Sequence, residues 1–424
     1  MKIAHISDLH YSPEHLEEVD RCVEFALSKA SDSECDCAVI SGDLFDHRIE
    51  LHQPAVSILT ARIRDLVEYM PVLILQGTFS HDTPGSLDVF RYLGGSNPVC
   101  VVDKISQAAL IENTVDGQRL FLRSEGWVFD GVEQIRSSVP ACWNIVALFS
   151  CLPPVHKGQI AAAAGVDDAA GAAGEYVHNL MRGWSVINEE ARAAGIPTIV
   201  VSHGTVNGSM TEQGVPMHGN DHEFSTGTLF ASQASAIMLG HIHQHQEWEQ
   251  DGRYIAYPGS PSRLHFGELT DKGFLIWKIE GGHTGCEFIK TPAKELIQID
   301  FEGEPDMSAL QEQAAKAAGA HVRIRWNVDE EHKDGVDKAA IEALFEGSAE
   351  VKLEGRINPI QTQRAAGISQ LPELNDKLAR WAELSGADSE LLIFRLNLLR
   401  ASEPEQIVKT LLDIPSNTAT EVAA

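Results

Sequence analysis

Four short stretches carry side chains of the types that hold divalent metal: Asp8-Leu9-His10, Gly42-Asp43, Ser202-His203-Gly204 and Gly240-His241-Ile242-His243. Residues two apart at an extended strand end project to the same side, so Asp8 and His10 form one pair and His241 and His243 another. A carboxylate with two or three imidazoles suits manganese, iron or zinc, whereas calcium prefers all-oxygen shells. Asp43, on a glycine-led turn, is placed to bridge two ions. Paired ions ~3.5–4 Å apart hold phosphate oxygens and turn a water into a useful nucleophile. The chemistry expected is metal-dependent hydrolysis of a phosphate ester.

The elements that must position these groups are legible around them. Each stretch closes an apolar run that reads as a buried strand, at 1–6, 37–40, 196–201 and 236–239. Side chains just past the carboxyl ends of such strands converge on one crevice. Residues 1–290 alternate strand-like and helix-like segments, the pattern of a layered α/β domain. An amphipathic helix is expected over 15–31 and another over 54–68, with strands at 72–75, 99–102, 120–122 and 145–149. Residues 161–174, rich in alanine and glycine, read as a connection before a helix over 175–194. A polar loop over 207–224 is expected to overhang the site. Segments 253–257, 273–278 and 287–290 read as antiparallel strands finishing the domain.

Residues 291–355 read as a small α+β capping domain, with strands at 297–301, 321–326 and 349–353 and helices at 307–318 and 336–344. Residues 356–424 read as a helical tail. Its Leu391, Leu392, Phe394, Leu396, Leu398 and Leu399 exceed what one amphipathic face needs. That makes the tail a candidate for docking a partner or for a third layer on the second domain.

Composition narrows the function classes. The hydrophobic fraction of 43% and charged fraction of 22% are those of a soluble globular chain. No apolar stretch approaches the ~20 residues that span a bilayer, so no membrane association is expected. Seven cysteines without framework spacing, and no signal peptide, suit reduced thiols and a cytoplasmic location. The formal net charge of −28, from 61 acidic against 33 basic residues, argues against a broad basic nucleic-acid footprint without excluding DNA as substrate. No Gly-x-x-x-x-Gly-Lys-[Ser/Thr] loop occurs, so any ATP hydrolysis must come from another chain. His5, His47 and His52 read as structural or solvated. Of His156, His218, His222, His245 and His265, His222 is the best placed to touch substrate.

Taken with Ser80-His81-Asp82, the four stretches resemble the calcineurin-like metallophosphoesterase superfamily. Gly42-Asp43-Leu44-Phe45-Asp46, Tyr257-Pro258-Gly259-Ser260-Pro261 and Thr291-Pro292-Ala293 are similar to the SbcD-type branch of DNA double-strand-break repair nucleases. The resemblance implies a sandwich of two mixed sheets flanked by helices. It implies that Asp8, His10 and His243 hold one ion, that Asp43 bridges, and that His203 and His241 hold the second. His81 would stand near the scissile phosphate and Asp46 would orient it. The family's third signature is Gly-Asn-His-Asp, whose asparagine oxygen binds the second ion. Here Gly77-Thr78-Phe79-Ser80-His81-Asp82 is two residues longer, with Ser80 expected as the oxygen ligand.

The function expected from the resemblance is a DNA exonuclease or endonuclease subunit using two divalent ions, manganese by preference. It would dimerise through its phosphoesterase domain and work in DNA repair and recombination with an SMC-like ABC ATPase of the SbcC type. The alternatives are a small-molecule phosphodiesterase or phosphatase, favoured by the acidity and the altered third signature, and a weakly active scaffold for the ATPase.

Overall fold

The computed structural model describes residues 1–424 except 49, 51, 94–96, 156–168, 212–213, 216–222, 281, 333–334, 359–366 and 413–424. Strands β1 (Lys2–Ile6), β2 (Cys37–Ile40), β3 (Val72–Leu75) and β4 (Val99–Val102) run parallel. Strand β14 (Gly273–Glu280) pairs antiparallel with β1, and β15 (His283–Lys290) with β14, which completes a six-stranded sheet in the order β15-β14-β1-β2-β3-β4. A seven-stranded sheet has the order β12-β13-β11-β8-β7-β5-β6. Its parallel members are β7 (Trp143–Leu152), β8 (Thr198–His203), β11 (Ala236–Gly240) and β13 (Arg253–Tyr257). Strands β12 (Gln246–Gln250), β5 (Ser106–Asn113) and β6 (Arg119–Arg123) join antiparallel at its edges. A short parallel pair, β9 (Thr205–Val206) and β10 (Glu223–Phe224), and the helix α5 (Thr226–Phe230) fall between β8 and β11 in the chain.

The two-residue period of the strands sorts their side chains into layers. Ile3, Cys37, Val39, Leu73 and Leu75 share one core with Ile199, Val201, Ala236 and Met238, so this core lies between the sheets. The intervening Ala4, Ala38, Ile40, Val72 and Ile74 face helices α1 (Leu16–Asp32) and α2 (Pro54–Leu66). On the other side, Val200, Ile237 and Leu239 face α4 (Ala169–Ala193), whose Trp184 is fully buried. Between them in sequence, α3 (Val132–Ser137) buries Val132 and Ile135 against the seven-stranded sheet. The architecture is therefore the expected one, two mixed sheets flanked by helices.

Two local expectations change. Strand β13 is parallel to β11 and antiparallel only to β12, a strand whose exposed, polar alternation carries little core signal. Helix α4 begins at Ala169, inside the stretch read as a connection, because alanine is the best helix former whatever its low complexity suggests. Residues 161–168 and His156, His218 and His222 lie outside the described residues.

By its contacts the chain divides into two compact units. One comprises Met1–Phe301, Pro305–Trp326 and Asp337–Glu354; the other comprises Glu302–Glu304, Asn327–Val336 and Gly355–Ala424. After β15 a three-stranded sheet follows, β16 (Leu296–Glu302), β17 (His321–Asp329) and β18 (Glu350–Asn358), in the order β16-β17-β18. Its helices α6 (Met307–Ala314) and α7 (Lys338–Leu344) are capped by the carboxylates of Asp306 and Asp337. Helices α8 (Leu374–Ser385), α9 (Ser389–Ala401) and α10 (Pro404–Leu412) form the tail. They leave Leu374, Trp381, Leu384, Phe394, Leu399 and Val408 exposed. Among the described residues no helix is long and apolar enough to cross a membrane.

His5 points into the inter-sheet core and is fully buried. Its Nδ1 accepts from Trp277 Nε1 at 3.3 Å, so its Nε2–H donates to Ser41 Oγ at 2.8 Å. Burial, helped by the charge of His245, lowers its pKa from 6.5 to about 3. The unfolded chain takes up this proton below 6.5 and the folded protein only near 3, so folding stability falls as pH drops through that window. Urea midpoints of the parent and His5→Gln at about pH 7.5 and about pH 5 test this. The parent is expected to lose about 2 kcal/mol more than the variant; equal losses would mean that His5 does not carry the acid sensitivity.

Candidate metal centre

The loops after β1, β2, β3, β8 and β11 meet at the carboxyl ends of the parallel strands. The first two run side by side, Asp8 N–H donating to Gly42 O and His10 N–H to Asp43 O, each at 3.1 Å. Asp8 is fully buried, and its two carboxylate oxygens accept the His241 main-chain N–H at 3.0 and 3.1 Å. Glycine is required where these loops touch. A Cβ at Gly240 would collide with Ser7 Oγ and the Ser41 carbonyl, and one at Gly77 with the Asp43 main chain and carboxylate. Asp8, His10, Asp43 and His241 all have φ between 51° and 103°, a conformation that side chains with a Cβ rarely adopt. Such strain persists where a surrounding structure over-determines it, as it does at functional sites.

Apart from Ser80, the expected ligands fall into two groups, and a third group, His10 with Asp46 and His81, shares a member with the first. The donor atoms of Asp8, His10 and His243 lie within 4.8 Å of one another, as do those of Asp43, His203 and His241. His10 Nε2 and His243 Nε2 lie within hydrogen-bond distance of each other, at 2.9 Å. His203 Nδ1–H donates to the Ser41 carbonyl at 2.8 Å, which leaves Nε2 facing Asp43 Oδ2 at 3.1 Å. His241 Nε2 is buried with no hydrogen-bond partner, a cost removed by a bound cation. The residues present therefore fit a pair of divalent ions.

The charges agree with that donor set. Burial alone would raise the Asp43 carboxyl, but the adjoining His203 imidazolium holds it far below the usual range. The same contact, against burial, holds His203 above its ordinary value. Burial and the His203 charge lower His241 to about 4, so its ring is neutral and ready to ligate. A cation held by Asp43, His203 and His241 would take the place of the His203 proton.

The third signature departs from expectation. Ser80 is exposed, and the hydroxyl that reaches the site is that of Thr78. Thr78 Oγ1 lies 2.6 and 2.7 Å from the two Asp43 oxygens, and its N–H donates to Oδ1 at 2.6 Å. The cause is a turn: the N–H groups of His81 and Asp82 both bond to Thr78 O, at 3.0 and 2.8 Å, which leaves Ser80 facing outward. Asp82, fully buried, accepts from Leu44 N–H and Gly77 N–H and ties the second and third loops together. Burial and the Asp43 charge push its carboxyl up to about 7.

Asp46 also acts otherwise than expected. His81 Nδ1 bonds to the main-chain carbonyl of Asp46, not to its side chain. The carboxylate lies 3.4 Å from His10 Nδ1 and 3.5 Å from His47 Nδ1. The His10 imidazole beside it draws it down to about 2, against partial burial. Glu268 and Lys272, fully buried behind His243, escaped the sequence reading because they belong to none of the motifs.

Manganese titrations of Thr78→Val and Ser80→Ala separate the two hydroxyls. Thr78→Val is expected to weaken one of the two sites at least ~10-fold, as loss of a group that orients a ligand does. Ser80→Ala is expected to leave both unchanged. The opposite pattern would return the role to Ser80.

Residues 1–245 match the calcineurin-like phosphoesterase family. The DNA double-strand break repair protein Mre11 of Archaeoglobus fulgidus is 22% identical over 401 residues, covering 91% of this chain and 73% of that protein. Among solved structures, GAP50, the anchor in the inner membrane complex of Plasmodium, gives a TM-score of 0.40 at 13% identity over 68% of this chain and 84% of its own. A dimetal phosphatase from Danio rerio gives 0.40 at 8% identity over 69% and 97%. Superpositions this loose carry no functional argument. The family match, together with the metal-type residues gathered at the strand ends, shows that the chain belongs to the calcineurin-like phosphoesterase family and is a metal-dependent phosphoesterase.

Proposed function

We propose that this chain is a nuclease subunit that hydrolyses DNA phosphodiester bonds with two divalent ions, manganese by preference. The observation that carries the reading is the pair of facing groups, Asp8, His10 and His243 beside Asp43, His203 and His241, each of mixed carboxylate and imidazole donors. The ions, when bound, neutralise phosphate oxygens and acidify water. Asp43, gathered with His203 and His241, would be the carboxylate shared by the two ions. His81, held at Nδ1 by the Asp46 carbonyl and set edge-on to His10 with ring centroids 4.8 Å apart, has Nε2 left to hold or release a proton at the leaving oxygen. DNA as substrate is supported by the similarity to a break-repair protein along most of this chain.

The resemblance of its motifs to the SbcD-type branch implies action beside an SMC-like ABC ATPase of the SbcC type, in a homodimer, within repair and recombination. The exposed apolar residues of α8 and α9 suit a coiled-coil partner. The net charge of −28 favours one competing reading, a small-molecule phosphodiesterase.

The test is manganese-dependent degradation of end-labelled linear duplex DNA, with Asp43→Ala and a generic phosphodiester alongside. The parent is expected to degrade DNA and Asp43→Ala to lose more than ~10³-fold of that rate. Cleavage of the generic ester with DNA untouched, with or without an added ATPase partner, would favour the small-molecule reading.

A further inference from the structure

We infer that Glu268 and Lys272 are positioning residues for the metal centre, a buried carboxylate–ammonium pair that fixes His243 so that its Nε2 is the nitrogen presented beside Asp8 and His10. The inference rests on the two-ion reading above and concerns the support of one group only.

Glu268 and Lys272 are 0% and 1% exposed, and Lys272 Nζ lies 3.3 Å from Glu268 Oε1. Removing two charges from water costs more than their attraction commonly returns, and an apolar pair of similar volume would serve packing as well. The pair is therefore not explained by stability. Both members act on the same residue. Glu268 Oε1 faces His243 Nδ1 at 3.1 Å, and Lys272 Nζ donates to the His243 carbonyl at 3.0 Å and to Ser260 Oγ at 2.8 Å.

The loop that carries Glu268 is itself pinned. Leu264 N–H donates to Glu268 Oε2 at 2.6 Å. The buried guanidinium of Arg263 spans the main-chain carbonyls of Glu268, Thr270 and Lys294, at 2.9, 2.9 and 2.6 Å. Ring and main chain of His243 are thus held from two directions by groups with little freedom of their own.

A carboxylate that accepts Nδ1–H selects the tautomer with a bare Nε2 and raises the basicity of that nitrogen. The other group is set differently, since the Nδ1–H of His203 goes to a neutral carbonyl, that of Ser41. The two sites are therefore unequal by construction. The ion beside His243 depends on a buried charge that the ion beside His203 does not need.

The test is calorimetric manganese titration of the full chain and of the double variant Glu268→Gln/Lys272→Met, which removes both charges and leaves neither unpaired. Thermal melting reports whether the variant is folded. The parent is expected to bind two ions. The folded variant is expected to bind one about 10–100-fold more weakly and the other within about threefold of the parent. Unchanged affinity at both sites overturns the inference, as does equal weakening at both, which marks general loosening. A parent that binds fewer than two ions overturns the two-ion reading and takes the inference with it.

A second measurement needs no variant. In the zinc-loaded parent, long-range ¹H–¹⁵N correlations are expected to show His243 protonated at Nδ1 and bare at Nε2. A proton on Nε2 overturns the inference whatever the variant does.

Discussion

The hydrogen bonds from the His241 main-chain N–H to the Asp8 carboxylate join the end of β1 in one sheet to the end of β11 in the other. That tie sets the loop that carries His241 and His243 directly against the loop that carries Asp8 and His10, beside the bond from His203 Nδ1 to the Ser41 carbonyl. One carboxylate serves both purposes, holding the rims of the sandwich together and standing among the candidate ligands. The left-handed backbone at Asp8, His10, Asp43 and His241 follows from the same demand, because chains that leave parallel strands must turn sharply to bring these groups inward. Gly42, Gly77 and Gly240 give the clearance.

The groups differ in how their imidazoles are supported. His203 leans on a peptide carbonyl and faces Asp43, whereas His243 leans on a buried carboxylate that is balanced by a buried ammonium. His10 is met at Nδ1 by the half-exposed Asp46. A charged support inside the protein responds little to salt, while one at the surface is screened. The ring at His10 thus sits in the more yielding environment.

Most of the fold and most of the site could be read from the chain because both are local. Strand-end placement follows from short apolar runs that stop at Asp8, Asp43, His203 and His241, and ligand type follows from metal chemistry. What escaped reading depends on contacts distant in sequence or on turn geometry. Thr78 displaced Ser80 because a turn closed by two N–H groups on one carbonyl changes which residue faces inward, and spacing alone does not reveal it. The parallel pairing of β13 with β11, beside its antiparallel pairing with β12, is not legible because a short apolar strand looks the same whichever way it runs. Glu268 and Lys272 carry no motif at all, and only their burial beside His243 sets them apart.

The position of β1 has a consequence for how the chain comes to be folded. It lies between β2 and β14, pairing Lys2 with Lys278 across nearly the whole phosphoesterase domain. During synthesis the first strand must therefore wait, one edge unsatisfied, until some 270 further residues have left the ribosome. Pairings so distant in sequence slow folding and expose strand edges to misassociation meanwhile. A nascent chain halted before residue 273 would display Asp8, His10 and Asp43 on an incomplete sheet, so the centre can be completed only near the end of the domain's translation.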